Sequence, residues 1–266
     1  RGWGTVADEQ VEAAIQHWEP RFVSNGVPLH DFRETTASIE RWADWCAAWV
    51  ARGRLHEELA ERALEAGNSL SAGEHLMTAA RCHHFGKFVF VEHPDEMRAA
   101  HRRAVDAATR ALPLLRPPGR RIEFPMGDAT LVGVLRVPDA SVPPPVVLLV
   151  SGLDSTKEEV DAYGEHLLRR GIATFAIDGP GQGEAEYDVP MRHDFEAAVG
   201  AAIDALAAVD AVDADRVGIY GVSLGGHYVV RAAAFESRVR ACALISGSYR
   251  VLDSWVGRSW ANRMGY

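Results

Sequence analysis

Four short apolar runs, residues 146–150, 172–177, 216–220 and 241–245, recur through the second half of the chain with helical stretches between them. Strands buried on both faces read as continuous apolar runs, because neither face meets water. The rhythm predicts a mostly parallel sheet with helices on both faces, an α/β fold. A β-hairpin precedes it: Ile122 and Phe124 alternate with polar neighbours, Gly127-Asp128 turns the chain, and residues 131–137 alternate again. A proline-rich crossing, Val142-Pro143-Pro144-Pro145, leads into the first buried run.

The first ~115 residues have a different period, with apolar stripes at three- and four-residue spacing. Val11, Ile15, Trp18 and Phe22 form one stripe, and Trp42, Trp45, Cys46 and Trp49 form another, with Ser38 as its expected N-cap. A third helix is expected from about Leu55 to Ala66, closing at Gly67-Asn68. Ser71-Ala72-Gly73-Glu74 has capping-box spacing, so a fourth helix is expected from Ala72, with Met77, Ala80, His84, Phe88 and Val91 on one face. Pro94-Asp95-Glu96 opens a fifth helix, expected to reach about Leu115. Pro117-Pro118-Gly119 breaks it, so residues 1–118 are expected to be an all-helical domain and residues 119–266 the sheet domain.

Charge narrows the partners. Twenty-eight Lys and Arg against 37 Asp and Glu give a formal charge of -9, and the broad positive field that nucleic acid requires is missing. No apolar run approaches the ~18 residues that span a bilayer, and the N-terminus has no basic-then-apolar leader pattern. No membrane partner and a cytoplasmic location are therefore expected. Cys46, Cys82 and Cys242 are odd in number and set among apolar residues, which reads as buried thiols rather than a disulfide framework or metal site.

Chemistry concentrates at Gly221-Val222-Ser223-Leu224-Gly225, which matches G-x-S-x-G between a buried run and a helical segment rich in Ala, Val and Tyr. In that strand-turn-helix context the serine hydroxyl is raised above the sheet as a nucleophile, and the glycines avoid collisions with adjoining backbone. The following helix directs its first N–H groups and its dipole at a developing oxyanion. A second N–H is expected from the loop after residues 146–150, making the backbone of Leu153 and Leu224 the candidate oxyanion hole. The plainer reading of the loop is a strand-to-helix connection in which Asp154, Ser155 or Thr156 caps the next helix, and both readings can hold together.

Asp178-Gly179-Pro180-Gly181-Gln182-Gly183-Glu184 is glycine-rich and follows a strand, yet Pro190 intervenes before any helix, which excludes a dinucleotide fingerprint. It reads as a rigid loop at the rim of the site, with Asp178 and Glu184 structural. His84, on an apolar stripe, is either a packed core histidine or, with His83, a substrate contact. Asp154 and His84 are the substrate-pocket candidates.

The run Ser151 to Glu159, the loop Asp178 to Glu184 and the elbow Gly221 to Gly226 together resemble an α/β-hydrolase family, that of 2,6-dihydroxypseudooxynicotine hydrolase and fungal polyketide-shortening hydrolases. The resemblance implies a helical N-terminal cap on an α/β-hydrolase core, a Ser-Asp-His triad, no cofactor or metal, and a homodimer. It implies Ser223 as nucleophile and Leu153 and Leu224 as oxyanion donors. Members cleave a carbon-carbon bond beside a ketone, and relatives cleave esters.

The triad acid and histidine do not map onto this sequence. After Ser223 the chain offers His227, one turn along the elbow's own helix, and Asp253. The chain begins at Arg1 and stops at Tyr266, and the sheet is left open after residues 241–245. A continuation of roughly 100 residues, carrying the acid, the histidine and two more strand-helix units, is therefore expected. The expected substrate is a small carbonyl compound, cleaved at a carbon-carbon bond in an aromatic or polyketide-like molecule. The alternatives are a carboxylesterase and a non-catalytic ligand-binding protein with a hydrolase-like fold.

Overall fold

In a computed structural model of the chain, residues 8–88, 90 and 92–247 are described; Val91 and Asp253 lie outside them. Two compact units divide at Arg116 and Pro117.

The first unit is helical: α1 (Glu9–Ser24), α2 (Leu29–Ala37), α3 (Trp45–Glu65), α4 (Ser69–Lys87) and α5 (Pro94–Ala111). Asp8 caps α1 by accepting the Gln10 N–H at 3.1 Å, and acids at Glu9 and Glu12 complement the dipole. α5 has no side-chain cap bond, but Pro94 stands in its first turn and Asp95 and Glu96 complement its dipole.

Several boundaries differ from the sequence expectation. Ser38 closes α2 instead of opening a helix, its hydroxyl donating to the Thr35 carbonyl at 2.7 Å. Trp42 lies in a 3-10 turn (Trp42–Asp44), and α3 starts at Trp45. No break separates Trp49 from Leu55: α3 runs through Gly53, where a Cβ would collide with the His83 imidazole of α4. Gly53 thus permits close helix-helix approach rather than ending a helix. The expected capping box is absent, because α4 begins two residues before Ser71, at Ser69 after Asn68. The fifth helix ends at Ala111, and a 3-10 turn (Leu112–Leu114) continues it.

The predicted stripes meet in an aromatic core. Phe22 stacks on Phe85 with centroids 3.6 Å apart and meets Phe32 and Trp49 edge-on at 5.4 and 5.2 Å. Trp45, fully buried, satisfies its indole N–H on the Phe85 carbonyl at 2.9 Å. Cys46 and Cys82 are buried as expected, and burial pushes the Cys46 thiol up to about 12, with Glu96 adding to the shift.

The second unit holds β1 (Gly119–Met126), β2 (Ala129–Arg136), β3 (Pro145–Val150), α6 (Lys157–Leu168), β4 (Ala173–Asp178), α7 (Glu196–Ala207), β5 (Asp213–Val222), α8 (Leu224–Phe235) and β6 (Val239–Ile245). The sheet order is β1-β2-β4-β3-β5-β6. β1, β2 and β4 pair antiparallel, whereas β4, β3, β5 and β6 are mutually parallel. The fold is that of an α/β-hydrolase core, and all four apolar runs of the sequence are its parallel strands.

Strand alternation divides β3 between the two layers. Val146, Leu148 and Val150 join the core built with α7 and α8, through Ala198, Ile203, Tyr228 and Val229. Val147 and Leu149 face α6 through Val160 and Tyr163. Arg136, fully buried at the end of β2, donates to the Pro117 carbonyl through Nε and Nη2 at 3.3 and 3.2 Å. Its Nη1 pairs with Asp161 at 3.3 Å and with Glu165, so the start of the unit is anchored to α6 and β2.

Among the described residues, β6 ends the strand order. Leu244 and Ile245 are 45% and 52% exposed, and Phe235 at the end of α8 is 69% exposed. Cys242, expected to be buried, is exposed among the described residues.

Candidate active site

Ser223 joins β5 to α8 with φ 57° and ψ -122°. Among the described residues, the non-glycine positions with positive φ are Ser223 and Ser246, which follow the neighbouring strands β5 and β6. A side chain in that region is strained by about 1–3 kcal/mol, so surrounding structure must hold it there. The Ser223 N–H donates to the Ile245 carbonyl at 2.9 Å, and its carbonyl accepts the His227 N–H at 3.3 Å.

Ser223 occupies the N-cap of α8, where serine ordinarily accepts a hydrogen bond from its own helix. It makes no such bond, and it is exposed. The hydroxyl is thus presented outward instead of being spent on the helix end. Leu224 is the first residue of α8, so its N–H is one of the donors an α-helix leaves without an internal partner.

The glycines of the turn are needed for space. A Cβ at Gly221 would strike the Gly225 carbonyl, and one at Gly225 would strike the carbonyls of Val150 and Ser151. The elbow is therefore wedged against the end of β3. Gly152 follows that strand, and a Cβ there would lie 3.9 Å from Ser223 Oγ and 3.4 Å from its Cβ. The structure brings Ser223, Leu224 and the loop carrying Leu153 and Asp154 together. Leu153 and Asp154 are half-buried on that loop.

The remaining sequence candidates are distributed differently. His84 is fully buried in α4 of the helical unit, edge-on to Phe85 at 5.0 Å. His83, also fully buried, reaches Glu57 through Nε2 at 3.2 Å. Burial draws its pKa down, against the opposing pull of Glu57. His227 is half-buried on the first turn of α8.

Asp178 and Glu184 belong to a buried ionic cluster beneath these loops. Lys157, at the start of α6, places Nζ 2.6 Å from Glu158, 2.8 Å from Asp178 and 2.8 Å from Glu184. Asp178 accepts the Lys157 N–H at 2.8 Å and the Glu184 N–H at 3.1 Å, so one carboxylate ties both loops. Glu184 is also paired with Arg121 at 2.8 Å. Burial pulls the Lys157 pKa down, and the charges of Asp178, Glu158 and Glu184 outweigh it, raising it above the usual lysine value. Burial likewise opposes ionisation of Glu158 and Glu184, yet Lys157, joined at Glu184 by Arg121, holds both below the usual carboxylate range. Glu158, Asp178 and Glu184 lie close enough together for a cation, and the Lys157 ammonium already sits among them.

Lys157, Glu158 and Glu159, consecutive charged residues, are all buried. The available signal was topological. β3 and β4 are neighbours with Val150 opposite Ile177, so residues following the two strands must meet. Gln182 carries no sequence signal for a similar reason, since its amide bonds back to the loop after β3.

A mixed, mostly parallel sheet covered by helices, with an exposed serine on a strained strand-to-helix turn, is the arrangement of the α/β-hydrolase class. Residues 29–253 match the family described as Esterase FrsA-like, and the chain belongs to that family. It is 36% identical over 238 residues to 2,6-dihydropseudooxynicotine hydrolase of Paenarthrobacter nicotinovorans, covering 88% of this chain and 63% of that protein. It is 28% identical over 238 residues to alpha/beta hydrolase gkaG of Penicillium citrinum, covering 84% of this chain and 56% of that one. The chain thus spans less than two thirds of the length of these curated relatives. The crystal structure of 2,6-dihydroxy-pseudo-oxynicotine hydrolase is similar with a TM-score of 0.83 and 33% identity, covering 94% of this chain and 70% of that one. Among the described residues, no helix is long and apolar enough to cross a membrane.

Proposed function

We propose that the protein is a hydrolase in which Ser223 attacks a carbonyl carbon and the main-chain N–H groups of Leu153 and Leu224 receive the oxyanion. The observation that carries this reading is the state of Ser223: exposed, strained, uncommitted to capping its helix and beside the loop of Gly152. The preferred reaction is cleavage of a carbon-carbon bond beside a ketone in an aromatic or polyketide-like molecule, as the resemblance read from the sequence implies; the Paenarthrobacter relative is named a hydrolase of 2,6-dihydropseudooxynicotine and the Penicillium one an alpha/beta hydrolase.

A histidine oriented by a carboxylate takes the Ser223 proton as Oγ bonds to the ketone carbon. Collapse of the tetrahedral oxyanion breaks the carbon-carbon bond. The histidine returns its proton to the departing carbon, which must be stabilised as an enol-like or aryl-conjugated fragment. Water then attacks the acyl-serine, releasing a carboxylic acid and free Ser223. Asp154, on the oxyanion loop, is the pocket candidate nearest this chemistry. A homodimer, implied by the family, is read out by sedimentation.

A second reading, ester hydrolysis, is favoured by the family description itself. It uses the same apparatus on a better leaving group. The deciding experiment incubates the full-length protein in 18O water with paired aryl β-diketones and aryl esters, followed by product mass spectrometry. The first reading expects an 18O-labelled acid and a shortened ketone from the diketone. Turnover of esters alone would select the second, and undiminished turnover in Ser223→Ala would sink both.

A further inference from the structure

The geometry points to Gln182 as a positioning residue that aims the Leu153 N–H at the reacting carbonyl, an inference that rests on the oxyanion role proposed above. Gln182 is 1% exposed, and its side-chain amide is fully engaged. Nε2 donates to the carbonyls of Ser151 and Gly152 at 2.8 and 2.9 Å, and Oε1 accepts the Gly179 N–H at 3.2 Å.

The Gly152 carbonyl and the Leu153 N–H belong to one planar trans peptide, so they point in opposite directions from the same rigid plate. A donor that holds the carbonyl also fixes where the N–H is directed. Gln182 grips two successive carbonyls, Ser151 and Gly152, and so restrains the peptides on both sides of Gly152, the residue packed against Ser223. Donation to the carbonyl also polarises the peptide and strengthens its N–H as a donor.

Gln182 is itself held by the loop that Asp178 and Glu184 brace through Lys157. The ionic cluster thus stiffens the loop, and Gln182 transmits that rigidity to the peptide next to Ser223. The connection between β3 and α6 has no such rigidity of its own at Gly152, which brings no side chain to pack.

The test uses the full-length protein with Gln182→Glu, which keeps shape and the Oε1 acceptor but replaces the donor by a carboxylate oxygen, and Gln182→Met, which removes both polar groups. Oxyanion donors act on the transition state and little on the bound substrate. In both variants kcat and the rate of phosphonylation of Ser223 by an aryl fluorophosphonate are expected to fall at least about ten-fold, with KM within about three-fold. Affinity for an aryl trifluoromethyl ketone should fall by the same factor as kcat/KM. If Gln182→Met does not fold, the near-isosteric Gln182→Glu decides alone.

Phosphonylation and ketone affinity at the wild-type level in a folded variant would overturn the positioning role while leaving Ser223 as nucleophile. A rise in KM with unchanged kcat would also overturn it. Absence of any adduct on Ser223 in the wild-type protein, with undiminished turnover in Ser223→Ala, would instead remove the reading beneath it.

Discussion

The main-chain N–H of Ser223 is hydrogen-bonded to the carbonyl of Ile245, 2.9 Å away at the end of the neighbouring strand. That bond joins the residue after β5 to the last residue of β6, and Ser223 has a φ of 57°, which an L-residue does not adopt without strain.

Removing the strain should therefore show in stability. Ser223→Gly is expected to be more stable than Ser223→Ala by about 1 kcal/mol, because glycine accepts positive φ whereas alanine keeps the penalty. Both should lose turnover by at least about four orders of magnitude. Urea unfolding of the two variants side by side checks the first point. An alanine variant more stable than the glycine one would show that the turn is not strained.

Position 225 should tolerate nothing larger than glycine. In Gly225→Ala the new methyl meets the carbonyls of Val150 and Ser151, which are backbone and cannot swing aside. A loss of about 1–3 kcal/mol or more is expected, with β3 displaced from the elbow and activity lost along with it. A melting temperature within a degree of wild type would contradict the packing described for the elbow.

Lys157→Met should destabilise the protein by about 3–5 kcal/mol at neutral pH, since Glu158, Asp178 and Glu184 would remain buried near one another without their shared cation. In the parent protein Glu158 and Glu184 have depressed pKa values, so their contribution is present above the ordinary carboxylate pKa and lost as pH falls through the lowered values. Lys157 has a raised pKa, so its contribution is complete below the ordinary lysine value and lost only as pH rises through the higher one. The deficit of Lys157→Met should consequently shrink as pH falls into the carboxylate range. Denaturant midpoints at neutral pH and near pH 4 measure it, and a constant deficit would argue against charge as its cause.

Phe22→Ala should cost about 3–5 kcal/mol in the helical unit, because the ring packs against Phe32, Trp49 and Phe85 and leaves a cavity those rigid rings cannot close. Fluorescence-detected unfolding, reporting through Trp45 and Trp49, is the direct measure.

What could be read from sequence was whatever depends on neighbours along the chain. The buried runs became β3 to β6, and the elbow could be recognised because its strand, turn and helix are contiguous. Helix ends were less legible. Ser38 is a good N-cap by composition, yet it terminates α2, a helix whose weak apolar stripe gave no periodic signal. Gly53 has the composition of a break, and only the position of His83 on another helix explains why it is not one. The roles of Gln182 and Lys157 depend on which strands lie side by side, and a linear pattern does not carry that information.

The alternation along β3 makes that strand a ruler shared by the interior and the reactive end of the molecule. Val146, Leu148 and Val150 turn to one layer and Val147 and Leu149 to the other, and two residues past Val150 the chain arrives at Ser223. A single residue inserted within β3 would exchange the two sets of side chains between layers and carry Gly152 out of step with the serine. The same insertion in the exposed crossing at residues 139–143 would be absorbed as slack. The placement of Gly152 against Ser223 is thus kept in frame by hydrophobic packing along β3, so errors of spacing are rejected at folding, before they can displace the elbow.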